Sequence, residues 1–315
     1  MPCDLGQAAA WFHRSAEAGY AQAQYRLGQA FLKGEGVDRA PDLGETWLRR
    51  AARQGSVAAM MALGRLHADP PERTPDPREA AIWFRKAADL GHAAAGIALL
   101  RLCLNGYEGQ YGVADPLAEL TGAAEQGNAL AQAELARLHE KGQGVTPSLP
   151  TAIAWYRKAA EQGLDAAQFH LARLLEGSEA EEWYGRAAAL GNASAMMALG
   201  RIKAGGSGGR KEPAQAALWF RRAAETGHPG GQLILARLLL AGRGIPADPA
   251  EAVSWLTRAS EQDNANAQYE LGIHLEQSGG EAPPGMGAAD WYRRASALGH
   301  PEAQARLRIL GGPAA

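Results

Sequence analysis

The sequence predicts an all-α protein, a solenoid of about nine helix-turn-helix repeats with a 36-residue period. Three observations predict it. A Gly closes a WxRxAxxxG-like phrase at Gly19, Gly55, Gly91, Gly127, Gly163, Gly191, Gly227 and Gly299, with Asp263 in its place once; the spacings are 36, 36, 36, 36, 28, 36, 36 and 36. Eight residues before that anchor stand Trp11, Trp47, Trp83, Trp155, Trp183, Trp219, Trp255 and Trp291, which are all eight tryptophans of the chain. Eight residues after it comes Leu in every unit: Leu27, Leu63, Leu99, Leu135, Leu171, Leu199, Leu235, Leu271 and Leu307. Self-similarity at one period over such a length means stacked repeats. The residue four after the anchor is Ala in every unit but one, where it is Gly231. A large residue on one helix facing a small one on the next is what close helix packing requires.

Each unit reads as helix, tight turn, helix, loop. Residues 76–106, DPREAAIWFRKAADLGHAAAGIALLRLCLNG, carry the signals most fully. Asp76 is an N-cap, Pro77 suits the first helical position, and Glu79 completes a capping-box pattern. Ala80, Trp83, Phe84, Ala87 and Ala88 fall on one face. Gly91 ends the first helix in a left-handed conformation, and the second stops near Asn105-Gly106.

The next unit, LAELTGAAEQG at 117–127, has Glu119 where the others have Trp. Its Asp115-Pro116 start lies four residues before that position instead of seven, so its first helix begins about one turn late. Glu119 is then a first-turn residue near the favourable end of the helix dipole, at least partly exposed. The preceding loop, 105–114, is longer and contains Tyr107 and Tyr111. Exposed tyrosines on a loop are a recurring recognition element, so Tyr107, Tyr111 and Glu119 are the candidate partner-binding residues. The bland reading of the same site is repeat decay. Leu100, where most units have Gly or Ala nine residues past the anchor, is expected to fill part of the volume Trp vacates.

Further on, the 28-residue spacing removes a loop and shortens the connection near 176–180, where Ser178 and Glu181 match a capping box. Gly205–Lys211 lacks the Walker spacing and reads as flexible linkage. Pro229-Gly230-Gly231 is expected to weaken the start of its helix. Asp248-Pro249-Ala250-Glu251 repeats the start signal of residues 76–79. Arg308, nine past the last anchor, reads as a cap on the array. The solenoid is expected over 4–310 as one domain, with 311–315 a disordered tail. One 36-residue unit buries too little alone, so stability comes from packing between neighbours.

The phrases WYRKAAEQG (155–163), GNALAQAELARLHEKGQGV (127–145) and YAQAQYRLGQAFLKGEGV (20–37) resemble the Sel-one-like repeat (SLR) family, a relative of the tetratricopeptide repeats. The resemblance covers nearly the whole chain. It implies a right-handed superhelix serving as a non-enzymatic scaffold or adaptor, often bacterial, in signalling or envelope processes. One branch of the family pairs cysteines across each repeat and has had penicillin-binding or β-lactamase activity attributed to it. This chain has only Cys3 and Cys103 and lacks that pattern.

Chemistry is otherwise sparse. The eight His are scattered, and neither HExxH nor CxxC occurs. His92, His228 and His300 follow an anchor and suit capping or surface roles, while packing accounts for His67, His139 and Cys103. A Cys3–Cys103 disulfide is disfavoured by the distance between their units. Basic residues recur three after the Trp position, at Arg14, Arg50, Lys86, Lys158, Arg186, Arg222, Arg258 and Arg294. They form either a cationic ladder for an acidic partner or a solvated face with i, i+3 ion pairs.

The net charge is 32 − 34 = −2, which argues against nucleic acid as the main partner. No apolar run approaches the ~20 residues needed to cross a bilayer. Without a signal-peptide pattern the expected compartment is the cytoplasm, or the periplasm if the start is truncated. The expected function is a scaffold holding a protein or peptide in its superhelical groove, with no cofactor and no catalytic residues. The alternatives are a hydrolase or binder for cell-wall or β-lactam-type ligands, and a featureless spacer.

Overall fold

The computed structural model describes residues 5–70, 74–105, 112–205, 211–279 and 285–310. Among them are eighteen α-helices and no strand. They fall into two compact units, Met1–Ala159 and Ala160–Ala315. The first holds α1 (Leu5–Glu17), α2 (Ala21–Lys33), α3 (Pro41–Arg53), α4 (Val57–Ala68), α5 (Pro77–Asp89), α6 (Ala93–Leu104), α7 (Pro116–Glu125), α8 (Ala129–Lys141) and most of α9 (Leu149–Glu161). The second holds α10 (Asp165–Leu174), α11 (Gly177–Ala189), α12 (Ala193–Gly205), α13 (Pro213–Glu225), α14 (Pro229–Ala241), α15 (Pro249–Ser260), α16 (Ala265–Ser278), α17 (Ala288–Ala297) and α18 (Pro301–Leu310). Within each unit helices pack on their neighbours in chain order, as a helix-pair solenoid requires.

The anchor is a backbone requirement. All eight anchor glycines have φ between 83 and 94°, and Asp263 has φ 56°. Each donates its N–H to the carbonyl three residues earlier, as Gly91 does to Ala88 at 2.8 Å. That left-handed turn closes the first helix and reverses the chain. Glycine adopts it without strain; Asp263 is one of the few residue types that tolerate it.

The repeating Leu is the core of each pair. Leu27, Leu63, Leu171, Leu235 and Leu271 are 0% exposed. The small residue four after the anchor sets how closely the two helices of a pair approach. A Cβ at Gly231 would lie 2.9 Å from the Ala224 backbone nitrogen, so that glycine serves packing. Despite Pro229-Gly230-Gly231, α14 begins at Pro229, with His228 as its N-cap.

Between pairs, the residue nine past an anchor receives the side chain just after the next Trp. A Cβ on Gly64 would come within 2.4 Å of the Phe84 ring, one on Gly200 within 2.6 Å of Phe220, and one on Gly272 within 2.6 Å of Tyr292. The ring thus occupies the space a Cβ would take. Tyr156 and Tyr292 add a bond from the hydroxyl, donating to Glu140 at 3.0 Å and to Glu276 at 2.6 Å in the preceding pair.

Two helix starts differ from expectation. Asp76 does cap α5, accepting from the N–H groups of Arg78 and Glu79. The Glu79 carboxylate, however, turns away from the expected capping box to take the Trp83 indole N–H at 2.8 Å and Arg49 at 2.8 Å. The second capping box is also displaced: α11 starts at Gly177, so Ser178 is already inside it, and Glu181 pairs with Lys203 at 2.8 Å. In both cases a cation on a neighbouring helix outcompetes a local backbone N–H.

Candidate partner-binding faces

The predicted recognition residues are only partly within view. Glu119 is exposed in the first turn of α7, and Asp115 caps that helix by accepting from Ala118 at 2.9 Å. Tyr107 and Tyr111 lie outside the described residues, as do Cys3, the 206–210 part of the Gly-rich loop and the tail 311–315. Around the late start the junction is rebuilt. Leu100 is 7% exposed and shares a cluster with fully buried Leu120 and with Val113. Leu120 occupies the position where Phe84 and Phe220 stand elsewhere. With α7 short, α6 also packs directly on α8.

The cationic ladder of the first helices folds back on its own tryptophans. Arg14, Arg50, Lys86, Lys158, Arg186, Arg222, Arg258 and Arg294 each lie over the indole three residues earlier, 4.0 to 5.4 Å from the ring centroid. A cation over a Trp face gains roughly 0.5–1 kcal/mol at exposed sites. These groups therefore shield the edge of the core.

His67 and His139 are not explained by packing alone. His67 lies 3.3 Å from Glu45 and 3.5 Å from Arg49, and His139 contacts the Thr146 carbonyl at 3.3 Å. His228 caps α14 through Nδ1, which accepts from Gly231 at 3.1 Å. Cys103 is fully buried. Among the described residues no group of three or more His, Cys, Asp or Glu is arranged to hold a metal ion. Among the described residues no helix is long and apolar enough to cross a membrane.

Two further repeating positions are functional in the stack. Five past the anchor, Gln24, Gln132, Gln168, Gln232 and Gln268 are buried. Their amides donate to the carbonyls of Ala16, Ala124, Ala160, Ala224 and Ser260, at 3.0 to 3.5 Å, in the helix end they pack on. Each of these carbonyls already accepts the anchor N–H, so the Gln amide is a second donor that ties the second helix to the end of the first. Gln54 and Gln262 then bridge to Gln24 and Gln232 of the preceding pair at 2.8 and 2.9 Å. Ala-Gln recurs four and five residues past five of the nine anchors, as in AQAQ, AQAE and NAQY, and was the available signal.

Ten past the anchor, Arg recurs in six successive units, at Arg65, Arg101, Arg137, Arg173, Arg201 and Arg237. This second cationic register lies on the second helices. Arg101 and Arg237 reach a Glu in the following pair, Glu134 at 3.2 Å and Glu270, and Glu134 also holds Arg137 at 2.6 Å.

In the first unit this face is grooved. A cleft of about 490 Å³ between α2 and α4 is lined by Tyr25, Gln29, Leu32, Met61, Arg65 and Leu66, with His92 at the start of α6. A smaller pocket of about 270 Å³ adjoins it, with Leu32, Leu66, Pro41 and Pro70 beside Arg39, Glu45 and His67. On the other side of α2, a cleft of about 770 Å³ opens toward Leu5, Phe12 and Tyr20. Few apolar anchors ringed by polar groups is the usual make-up of a recognition surface.

Paired helices on a strict period, with grooved amphipathic faces, define a helical-repeat protein. A model of the Sel1 repeat matches residues 2–20, 21–56, 57–92, 129–164, 166–192, 193–228, 229–264 and 265–300, and the chain belongs to that family. The matches pass over 93–128, which holds α6 and the remodelled start of α7. A solved Sel1 repeat protein from Oxalobacter formigenes is 32% identical, with 86% of this chain and 80% of that one covered and a TM-score of 0.53. A solved protective antigen of uropathogenic Escherichia coli, described as displaying an SLR fold, is 26% identical, with 98% and 76% covered and a TM-score of 0.44. No curated protein matches the chain.

Proposed function

We propose that this protein is a non-enzymatic adaptor whose second-helix faces hold a segment of a partner protein. The observation that carries the reading is the α2/α4 cleft, where Tyr25, Leu32, Met61 and Leu66 sit among Gln29, Arg65 and His92. A partner residue filling it gains apolar burial at roughly 25 cal/mol per Å², and the polar rim selects among partners. Repeat stacks provide extended binding surface of this kind without chemistry of their own. A role in bacterial signalling or in the envelope follows from the family resemblance and belongs to the same proposal. So does the Tyr107, Tyr111 and Glu119 patch, which would be a second contact on the same partner.

The test is crosslinking of purified protein to its partner in native lysate, with crosslinked residues mapped. The reading predicts crosslinks concentrated on α2 and α4 and lost in Leu66→Asp. Reproducible crosslinks elsewhere that survive Leu66→Asp would sink it. Retained capture after Ala substitution at Tyr107, Tyr111 and Glu119 together would remove the second contact.

A further inference from the structure

The residue just after Trp is a plug for the pair before it. Leu48, Phe84, Phe220 and Tyr292 are buried against Gly28, Gly64, Gly200 and Gly272 of the preceding second helix. Phe12 holds the same register on α1 but is 36% exposed, and Trp11 beside it is 67% exposed where Trp47, Trp83, Trp183, Trp255 and Trp291 are buried. Phe12 lines the cleft of about 770 Å³ between α1 and α2, together with Leu5, Ala8, Ser15 and Arg26. An exposed aromatic pair beside an open cleft marks a docking surface.

The other end of the repeat shows what such a cleft accepts. There α16 packs on α17 and presents two residues one turn apart. Gly272 makes room for the Tyr292 ring, and Glu276 accepts from the Tyr292 hydroxyl at 2.6 Å and pairs with Arg306 of α18 at 3.4 Å. Arg stands seven past the anchor in only two of the nine units, at Arg26 and Arg306. Phe12 and Arg26 therefore repeat the registers of Tyr292 and Arg306. Arg26 is exposed and lies 6.0 Å from the Tyr25 ring; among the described residues it has no ion pair. The one carboxylate lining its cleft, Glu35, is held by Lys33 at 3.4 Å.

We infer that the α1/α2 cleft docks an amphipathic helix of a partner protein, one that sets a Gly or Ala over Phe12 and, one turn later, a Glu against Arg26. A second copy joined end to end does not supply that helix. Arg308 stands at the ninth position of α18, too large to receive a ring, and α16, which has the right pair of residues, is committed to α17. Second helices with Arg at the tenth position are also mismatched. Arg101 and Arg237 reach Glu134 and Glu270 at the seventh register of the next pair, and the residue at that register here is Arg26. The site lies on the opposite side of α2 from the α2/α4 cleft and does not rest on that reading.

The probe is a capped, fluorescein-labelled peptide with the sequence of residues 264–279, NANAQYELGIHLEQSG, titrated with the full chain at low salt and read by fluorescence anisotropy. One equivalent is expected to bind. In the peptide, Glu276→Gln is expected to weaken binding about tenfold, and Gly272→Leu to abolish it. The peptide of residues 192–205, NASAMMALGRIKAG, keeps the glycine but has Arg201 and Ala204 in place of Ile273 and Glu276; it is expected to bind at least about tenfold more weakly. In the chain, Phe12→Asp is expected to abolish binding and Arg26→Glu to transfer it to the Glu276→Lys peptide. Both residues are exposed, so thermal melts of these variants are expected to match the parent. Leu66→Asp is expected to leave this binding intact, which separates the site from the α2/α4 cleft. Binding indifferent to Phe12→Asp and Arg26→Glu, or no binding at about 1 mM, overturns the inference. A dimer of the chain alone in light scattering, lost in Phe12→Asp, overturns the partner helix in favour of a second copy.

Discussion

The ordinary junctions and the junction at 93–128 solve one packing problem in opposite ways. At Gly64/Phe84 and Gly200/Phe220 a bare backbone receives an aromatic ring. At Leu100/Leu120 two medium side chains share the space, and the helix that would have carried Trp starts one turn late. The two solutions conserve volume across the seam, not residue identity. The consequence is visible in the family comparison, where the regular units match and 93–128 does not. Glu119 thus stands at the seam as an exposed first-turn residue, and the missing Trp leaves no buried charge behind.

The largest expected effect lies at the odd junction. Leu100→Gly removes a buried side chain, at about 2–5 kcal/mol, and adds a helical glycine, at about 1 kcal/mol. Ala136→Gly and Ala172→Gly carry only the second cost. Thermal melts of the three variants check this, and comparable losses at all three sites would break the volume argument. Next come the ordinary junctions. Gly64→Ala and Gly200→Ala press a methyl into a ring and are expected to cost about 1–3 kcal/mol each. Gly96→Ala, whose new Cβ would meet nothing within 4 Å, is expected to stabilise by about 0.5–1 kcal/mol. Opposite signs for chemically identical changes separate seam glycines from incidental ones.

Smaller effects concern the charged braces over the seams. Trp83 and Trp255 donate their indole N–H to Glu79 and Glu251, which also hold Arg49 and Arg221. Trp47 has Leu43 at the equivalent place, and its buried indole nitrogen has no hydrogen-bond partner among the described residues. Leu43→Glu is therefore expected to stabilise by about 0.5–1.5 kcal/mol in denaturant titration. No gain would mean that the brace contributes nothing net. The Arg221 hydrogen bond, then the Trp255 one, hold the Glu251 carboxyl below its ordinary range. Its folded pKa is thus depressed relative to the unfolded chain. Its contribution is present above the unfolded carboxylate pKa and is lost as pH falls through the folded one. Glu251→Gln is expected to lose stability near neutral pH by less than about 1 kcal/mol, given its partial exposure, and to show a shallower acid loss.

Much of this fold was legible because the period writes the same constraint nine times. The left-handed turn demands Gly or a tolerant Asp, and relative to it Leu repeats in all nine units and Trp in eight. What escaped were interactions between helices whose partners are not neighbours in sequence. Glu79 and Glu181 looked like capping residues because the local pattern fits; the cations that claim them, Arg49 and Lys203, lie on other helices. The cation three after each Trp reads equally as a ladder or a solvated face in the sequence, and its place over the indole depends on the rotamers of both side chains. The Arg at the tenth position was legible as a recurrence, but the pairing of Arg101 with Glu134 and of Arg237 with Glu270 was not, because that depends on which residue of the following unit faces it.

The central claim is that the seam is set by complementary volume at the ninth position of one unit and the residue after Trp in the next. A double-mutant cycle tests it directly: Gly64→Leu, Phe84→Leu and the two together, which rebuilds the Leu100/Leu120 arrangement at an ordinary junction. The account predicts that Gly64→Leu alone is the most damaging and that adding Phe84→Leu restores stability, with a coupling of at least about 1 kcal/mol. Losses that simply add, within about 0.5 kcal/mol, would contradict it.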